Sequence, residues 1–184
     1  HVKVIDICCP RQFLAAARWI ARGHRGLVYL RVMRSPSPAL YDDAYEFEYA
    51  KAYYLKKEKN HQAVIISSGH AVLESLSAAE LLAAEGIPVS VADMPSYDSG
   101  FLKDAAGSGV LFVFVEQNNG LLFDLFSRDV LKNQISLRPK QVTALNTRDA
   151  QDKLRFIQSG SYEQLIEALG LRAVDIVSVI KKLR

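Results

Sequence analysis

Short apolar runs alternate with amphipathic stretches along most of the chain, and this rhythm predicts strands and helices in turn. Val2 to Ile7 alternates and is rich in Val and Ile, which predicts a strand. Pro10 then sits where the first turn of a helix tolerates a missing N–H. Phe13, Ala16, Ala17 and Ile20 fall at i, i+3, i+4 and i+7, so this helix carries one apolar stripe, and Gly23 ends it. Leu27 to Val32 is a second strand. Two serines and two prolines from Ser35 to Pro38 cannot continue regular structure, so a linker is expected from about Ser35 to Asp43. Tyr45 to Leu55 follows as an extended segment, and Lys56 to His61 as a charged, exposed turn.

From Ala63 the rhythm becomes regular. Strands are expected at Ala63 to Ser67, Pro88 to Met94 and Val110 to Glu116, with a shorter fourth at Ile135 to Leu137. Between them fall helices at about Ala71 to Glu85, Phe101 to Ala106 and Leu121 to Leu131. Residues 146–160 are polar and irregular. Ser161 and Gln164 then have the spacing of a capping box, Gly170 closes that helix, and Ala173 to Leu183 makes a last one. Strands of nearly continuous Val, Ile, Leu and Phe must be covered on both faces. The expected class is therefore α/β, a doubly wound, mostly parallel sheet preceded by a β-α-β remnant of a second α/β domain. The expected division is 1–34 for the remnant, 35–60 for the linker with its extended segment, and 61–184 for a complete domain.

Composition narrows the function classes. The net charge of +3 is spread, with Lys56-Lys57 and Lys181-Lys182 beside acidic or apolar neighbours, which reads as a solvated face and not a nucleic-acid patch. No apolar run approaches the ~20 residues that cross a bilayer, so no membrane partner is expected, and a cytoplasmic protein is. The opening at His1, with a strand and no initiating Met, predicts that the fold begins before this sequence does. Cys8 and Cys9 are adjacent, which suits neither an ordinary disulfide framework nor a tetrahedral metal site.

Candidate chemistry is sparse. Ser67-Ser68-Gly69-His70 lies between a strand and a helix but lacks the flanking glycines of a nucleophile elbow; as a helix start it could face an anion. The four histidines have no metal-ligand spacing, and no metal is expected on this chain's own side chains. Cys9 falls at a helix start, where the dipole lowers a thiol pKa, but no His or Asn context completes a relay. Arg34 stands at the carboxyl end of the second strand, the usual ligand side of a parallel sheet, where a guanidinium can grip a phosphate bidentately. Glu116 ends a buried strand and, with Asn118 in the polar turn that follows, forms the second candidate, as an interface or as a hydrogen-bonded turn.

Read together, Ile65-Ile-Ser-Ser-Gly69, the block from Ser77 through Asp93-Met-Pro-Ser96 to Asp98, and Val113-Phe-Val-Glu-Gln-Asn-Asn-Gly120 resemble the C-terminal domain of transketolases in order and spacing. Ser159 to Leu165 and Leu169-Gly-Leu171 fit the same pattern. Gly26 to Pro36 is similar to the last strand of the family's pyrimidine-binding domain, whose closing arginine contacts the substrate phosphate, and Arg34 takes that position. The turn departs from the family: Gln117 replaces a second acid, and Asn119-Gly120-Leu121-Leu122 replaces a glycine-rich helix start.

The resemblance implies ketol transfer between sugar phosphates by an intact, homodimeric enzyme using thiamine diphosphate and Mg²⁺. It gives this chain no catalytic residue, no cofactor of its own, and the remaining domains or subunit as its partner. A 2-oxo acid dehydrogenase β subunit, a deoxyxylulose-phosphate synthase, and a non-catalytic binding module of the same fold are the alternative readings.

Overall fold

The computed structural model describes residues 2–33, 35–106 and 108–184. It opens with β1 (Val2–Asp6), α1 (Pro10–Ala21) and β2 (Leu27–Arg31), whose two strands pair in parallel. Residues 35–52 form neither helix nor strand, yet they are not loose. Phe47 is buried with Ile5, Ile7, Ala15 and Ala16, and Leu40 and Tyr41 pack beside Cys8, Cys9 and Val72. Apolar residues at these positions turn a connecting segment into a strap over the first sheet.

The chain then runs through β3 (Tyr53–Lys56), β4 (Ala63–Ser67), α2 (Ala71–Ala84), β5 (Val89–Asp93), α3 (Ser99–Ala106) and β6 (Leu111–Val115). It ends with α4 (Leu121–Asn133), β7 (Val142–Leu145), α5 (Tyr162–Leu169) and α6 (Ala173–Leu183). The second sheet has the order β3-β5-β4-β6-β7, and only β3 is antiparallel to its neighbour.

Side-chain alternation divides the core in two, because successive residues of a strand face opposite sides. Ala63 and Ile65 of β4, with Val89, Val91, Val113 and Val115, pack against α2 and against Ile176 and Ile180 of α6. Val64 and Ile66 face the other way, with Ala92, Phe112 and Phe114, onto Leu102, Leu122 and Phe126 of α3 and α4. Every residue of β4, β5 and β6 is buried. That is why these runs are continuously apolar.

The class expected from the sequence is the one observed, and two details differ. Ile135 to Leu137 is not a strand; these residues only lean on the second core as a half-buried loop before Pro139. The fourth parallel strand is β7, four half-buried residues at the sheet edge, too short and too little buried to stand out by its apolar content. The extended segment narrows to β3, which starts only at Tyr53 and includes Lys56.

The two sheets meet at backbone level. Asp6 N–H donates to the Pro95 carbonyl at 2.8 Å, and Gly69 N–H donates to the Asp6 carbonyl at 3.3 Å. Gly69 has φ +58°, and a Cβ there would lie 2.5 Å from Asp6 Oδ1. A glycine is required for both reasons: left-handed backbone and no space for a side chain. Gly69→Ala is therefore expected to cost about 1–3 kcal/mol, read as a lower urea midpoint with an unchanged slope. A midpoint equal to wild type would mean that the joint yields freely.

Candidate functional site

Three strands end in an acid: Asp6 closes β1, Asp93 closes β5, and Glu116 follows β6 directly. All three side chains are buried, with Asp93 and Glu116 at 0% exposure. The sheet order explains why they meet. The chain leaves β4 for β5 on one side and returns past it to β6 on the other, which makes a switch point at the carboxyl ends of these strands. Open α/β sheets hold ligands in that crevice.

Here the chain's own polar groups pair with one another across it. Asp6 Oδ2 accepts from Ser68 Oγ at 2.9 Å and from Arg31 Nη1 at 3.2 Å. Arg31 Nη2 also donates to the Gln117 carbonyl at 2.5 Å, so the guanidinium bridges β1 to the turn after β6. Asp93 is held from the other direction. Its Oδ2 accepts from Gln12 Nε2 at 2.5 Å, Tyr41 Oη at 2.6 Å and Cys8 Sγ at 3.5 Å, bringing α1, the strap and the β1–α1 turn onto one oxygen. Asp93 Oδ1 has no hydrogen-bond partner among the described residues.

Burial dominates the electrostatics of this cluster. It pushes Asp93 up to about 7 against the donors Tyr41, Gln12 and Cys8, and a neighbouring Asp6 adds to the rise. Glu116 is likewise pushed up to about 7 by burial, against the N–H groups it accepts from. Asp6 is raised by burial too, with Arg31 and Ser68 opposing. Three carboxyls against one paired guanidinium favour protons over anions at this crevice.

The structure gives the expected site residues distinct places. Arg34 lies outside the described residues. Glu116 accepts from Leu122 N–H at 2.8 Å and Phe123 N–H at 3.1 Å, capping α4 from six residues upstream. Asn118 Oδ1 accepts from the N–H groups of Gly120 and Leu121 at 2.8 and 3.0 Å. These bonds hold the start of α4 in place of a glycine-rich start. In the Ser67 to His70 turn, Ser68 Oγ and Gly69 N–H both donate to Asp6. His70 is buried against the Tyr162 ring, 4.4 Å between centroids, and burial lowers its pKa.

Sequence reasoning did not single out Asp6, Gln12, Arg31, Tyr41 or Asp93 as a joint. One signal was present: an acid closing each of three strands that are otherwise apolar on their buried side, an expensive placement unless the acid is partnered or protonated.

At the joint opens a cleft of about 650 Å³, with Asp6, Arg31, Ser68, Glu116 and Asn118 in its lining, Val2, Val4 and Tyr29 on one wall and Leu121, Leu122 and Leu125 on the other. Val2, Leu27 and Tyr29 share one face of the first sheet and are 54%, 70% and 58% exposed. The opposite face, with Ile5, Val28 and Leu30, is packed on α1.

This fold, with the block around Asp93 and the turn at Glu116, defines an α/β domain of the transketolase C-terminal class. Residues 51–119 match the family model described as "Transketolase, C-terminal domain". Over those residues the chain is similar to the C-terminal domain of transketolases.

An uncharacterised transketolase family protein of Sinorhizobium fredii is 28% identical over 99% of this chain and 52% of its own length. Human transketolase is 31% identical over 40% of this chain and 12% of its own. A solved split-gene transketolase, described as an inactive β4 tetramer, superposes with a TM-score of 0.81 at 26% identity. That match covers 99% of this chain and 56% of the other. The chain thus spans about half the length of that Sinorhizobium fredii relative. No helix among the described residues is long and apolar enough to cross a membrane.

The raised carboxyls set a pH dependence whose sign is fixed. Asp93 and Glu116 keep protons up to about 7 in the folded state, whereas their ordinary values are 3.8 and 4.5. Between roughly pH 4 and 7 the folded chain therefore binds more protons than the unfolded one, and this contribution to stability declines as pH rises. Asp93→Asn removes one titrating group and keeps an oxygen to accept from Tyr41 and Gln12. The stability difference, variant minus wild type, is expected to grow in the variant's favour from pH 5 to pH 8 in urea titrations. A difference that stays flat with pH would show that Asp93 ionises freely.

Proposed function

We propose that this chain is the C-terminal portion of a thiamine-diphosphate-dependent transketolase, and that its own role is to assemble and shape the enzyme, not to carry its chemistry. The observation that carries the reading is the crevice, whose polar groups are paired with one another. Where this fold would take a ligand, Asp6 and Arg31 bridge Ser68 to the Gln117 carbonyl. Thiamine diphosphate does not fit there: the crevice is lined by Asp6, Asp93 and Glu116, which repel a diphosphate when ionised, and Gly69 has no free space before the Asp6 carboxylate. The cofactor and its Mg²⁺ belong to residues outside this chain.

The partner follows from the surface. The face bearing Val2, Leu27 and Tyr29 is apolar and exposed beside the cleft, so it suits the remaining domains or subunit of the enzyme. That the split-gene relative is described as an inactive β4 tetramer supports a portion that associates with itself and is inactive alone. In the complete enzyme a homodimer and a cytoplasmic setting go with this reading, as does a chain division at 1–34, 35–60 and 61–184. Arg34, from its place after β2 and its match to the family's closing arginine, binds the substrate phosphate.

The chain alone, given a ketose phosphate and ribose 5-phosphate, is expected to transfer no ketol unit. Adding the polypeptide that supplies the diphosphate and metal ligands is expected to restore transfer. In that complex Arg34→Ala should raise KM for phosphorylated donors about tenfold to a hundredfold, the range for losing a charged hydrogen bond, with folding unchanged. An unaltered KM removes Arg34 from the site. A complex that instead consumes pyruvate with an electron acceptor, and no sugar phosphate, overturns the transketolase reading in favour of a 2-oxo acid dehydrogenase β subunit.

A further inference from the structure

Cys8 and Cys9 follow β1 and precede Pro10, the first residue of α1, and assembly of a transketolase does not call for a pair of thiols there. Both are free and buried. Cys8 is fixed by its N–H, which donates to Gln12 Oε1 at 2.8 Å, and by its thiol, which donates to Asp93 Oδ2 at 3.5 Å. The two cysteines line one pocket, and each shifts the other's ionisation through a thiol–thiol hydrogen bond. That bond, together with burial, pushes the Cys8 thiol up. It holds Cys9 down to about 5, where the N–H groups of Gln12, Leu40 and Arg11 face the sulfur and outweigh burial.

A disulfide is the wrong product for this pair. The peptide bond is trans, which keeps adjacent Cα atoms at about 3.8 Å, shorter than the usual disulfide span of roughly 4.4–6.8 Å. One further atom between the sulfurs enlarges the ring and relieves that strain. A pocket of about 310 Å³ reaches both cysteines, and Ile7, Pro10, Phe13 and Val32 make its wall apolar. The site thus offers two contiguous sulfurs beside room for one apolar group.

We propose that Cys8 and Cys9 form a dithiol site that captures a trivalent arsenical, with the apolar pocket receiving its organic substituent. Cys9 attacks first and Cys8 closes the ring. Each sulfur forms one As–S bond as one As–O bond breaks, and the oxygen leaves as water. Its two protons come from Cys8 and from the Cys9 thiol, or from solvent where Cys9 is already ionised. Arsenic stays trivalent throughout, so no oxidant is required. The proposal stands independently of the enzyme reading above.

Phenylarsine oxide added to the folded full chain is expected to give one arsenical per chain by intact-mass spectrometry, retained in excess monothiol and released by 2,3-dimercaptopropanol. Cys9→Ser and Cys8→Ala are each expected to weaken capture by on the order of a hundredfold or more, because the second sulfur attaches at the high effective concentration of a linked group. Serine is a preferred residue at a helix start, so Cys9→Ser keeps α1 capped, and circular dichroism checks both variants. Either of two results overturns the proposal: no stable adduct on the folded wild type, or full affinity in a folded single variant.

Discussion

The bridge from Asp6 through Arg31 to the Gln117 carbonyl is the contact on which the arrangement of the two sheets depends. A partly buried pair of this kind adds little net stability, because desolvation offsets most of its attraction, yet removing one member leaves the other uncompensated. Its effect is therefore on geometry. It fixes the end of β1 against the turns after β4 and β6, and the backbone bonds to Pro95 and from Gly69 repeat the same alignment. An apolar contact would be indifferent to small slips; a guanidinium with two fixed acceptors is not.

The joint also decides what the rest of the molecule can offer. With the polar groups at the switch point paired with one another, the apolar face of the first sheet and the cleft beside α4 are surfaces open to a larger partner. A two-stranded sheet covered on one face by α1 and the strap is half of a layered unit. Stable packing needs both faces covered, and a specific interface buries roughly 800 Å² on each side, more than a lone Tyr29 and its neighbours supply. The cleft wall on α4 extends that area, so one partner element can touch both sheets and read their relative setting.

Much of the fold was legible in the sequence because burial on both faces leaves an unmistakable mark: β4, β5 and β6 are apolar at every position except Ser67, Ser90 and Asp93. β7 was not legible, since an edge strand with half-buried Val, Thr, Ala and Leu resembles a loop, while Ile135 and Leu137 are apolar for the sake of packing and not of pairing. The turn at Glu116 and Asn118 could be marked from its polar residues, although capping of α4 from six residues away depends on how the chain doubles back. The Asp93 cluster was hidden for a different reason. Its members lie up to 85 residues apart, and no local spacing announces that Cys8, Gln12 and Tyr41 converge on one carboxyl oxygen.

The acids of the joint bear on what the domain can recognise. Helix starts and strand ends of this architecture usually draw anions, since unpaired N–H groups collect there. In this chain Gly69 N–H is spent on the Asp6 carbonyl, and the first amides of α4 are spent on Glu116 and Asn118. A phosphate entering would find acceptors already in place and carboxyls whose ionisation burial resists. The same residues that would make an anion site in a free domain make, here, a neutral, internally satisfied seam. What the seam leaves open are the apolar faces that it holds in register.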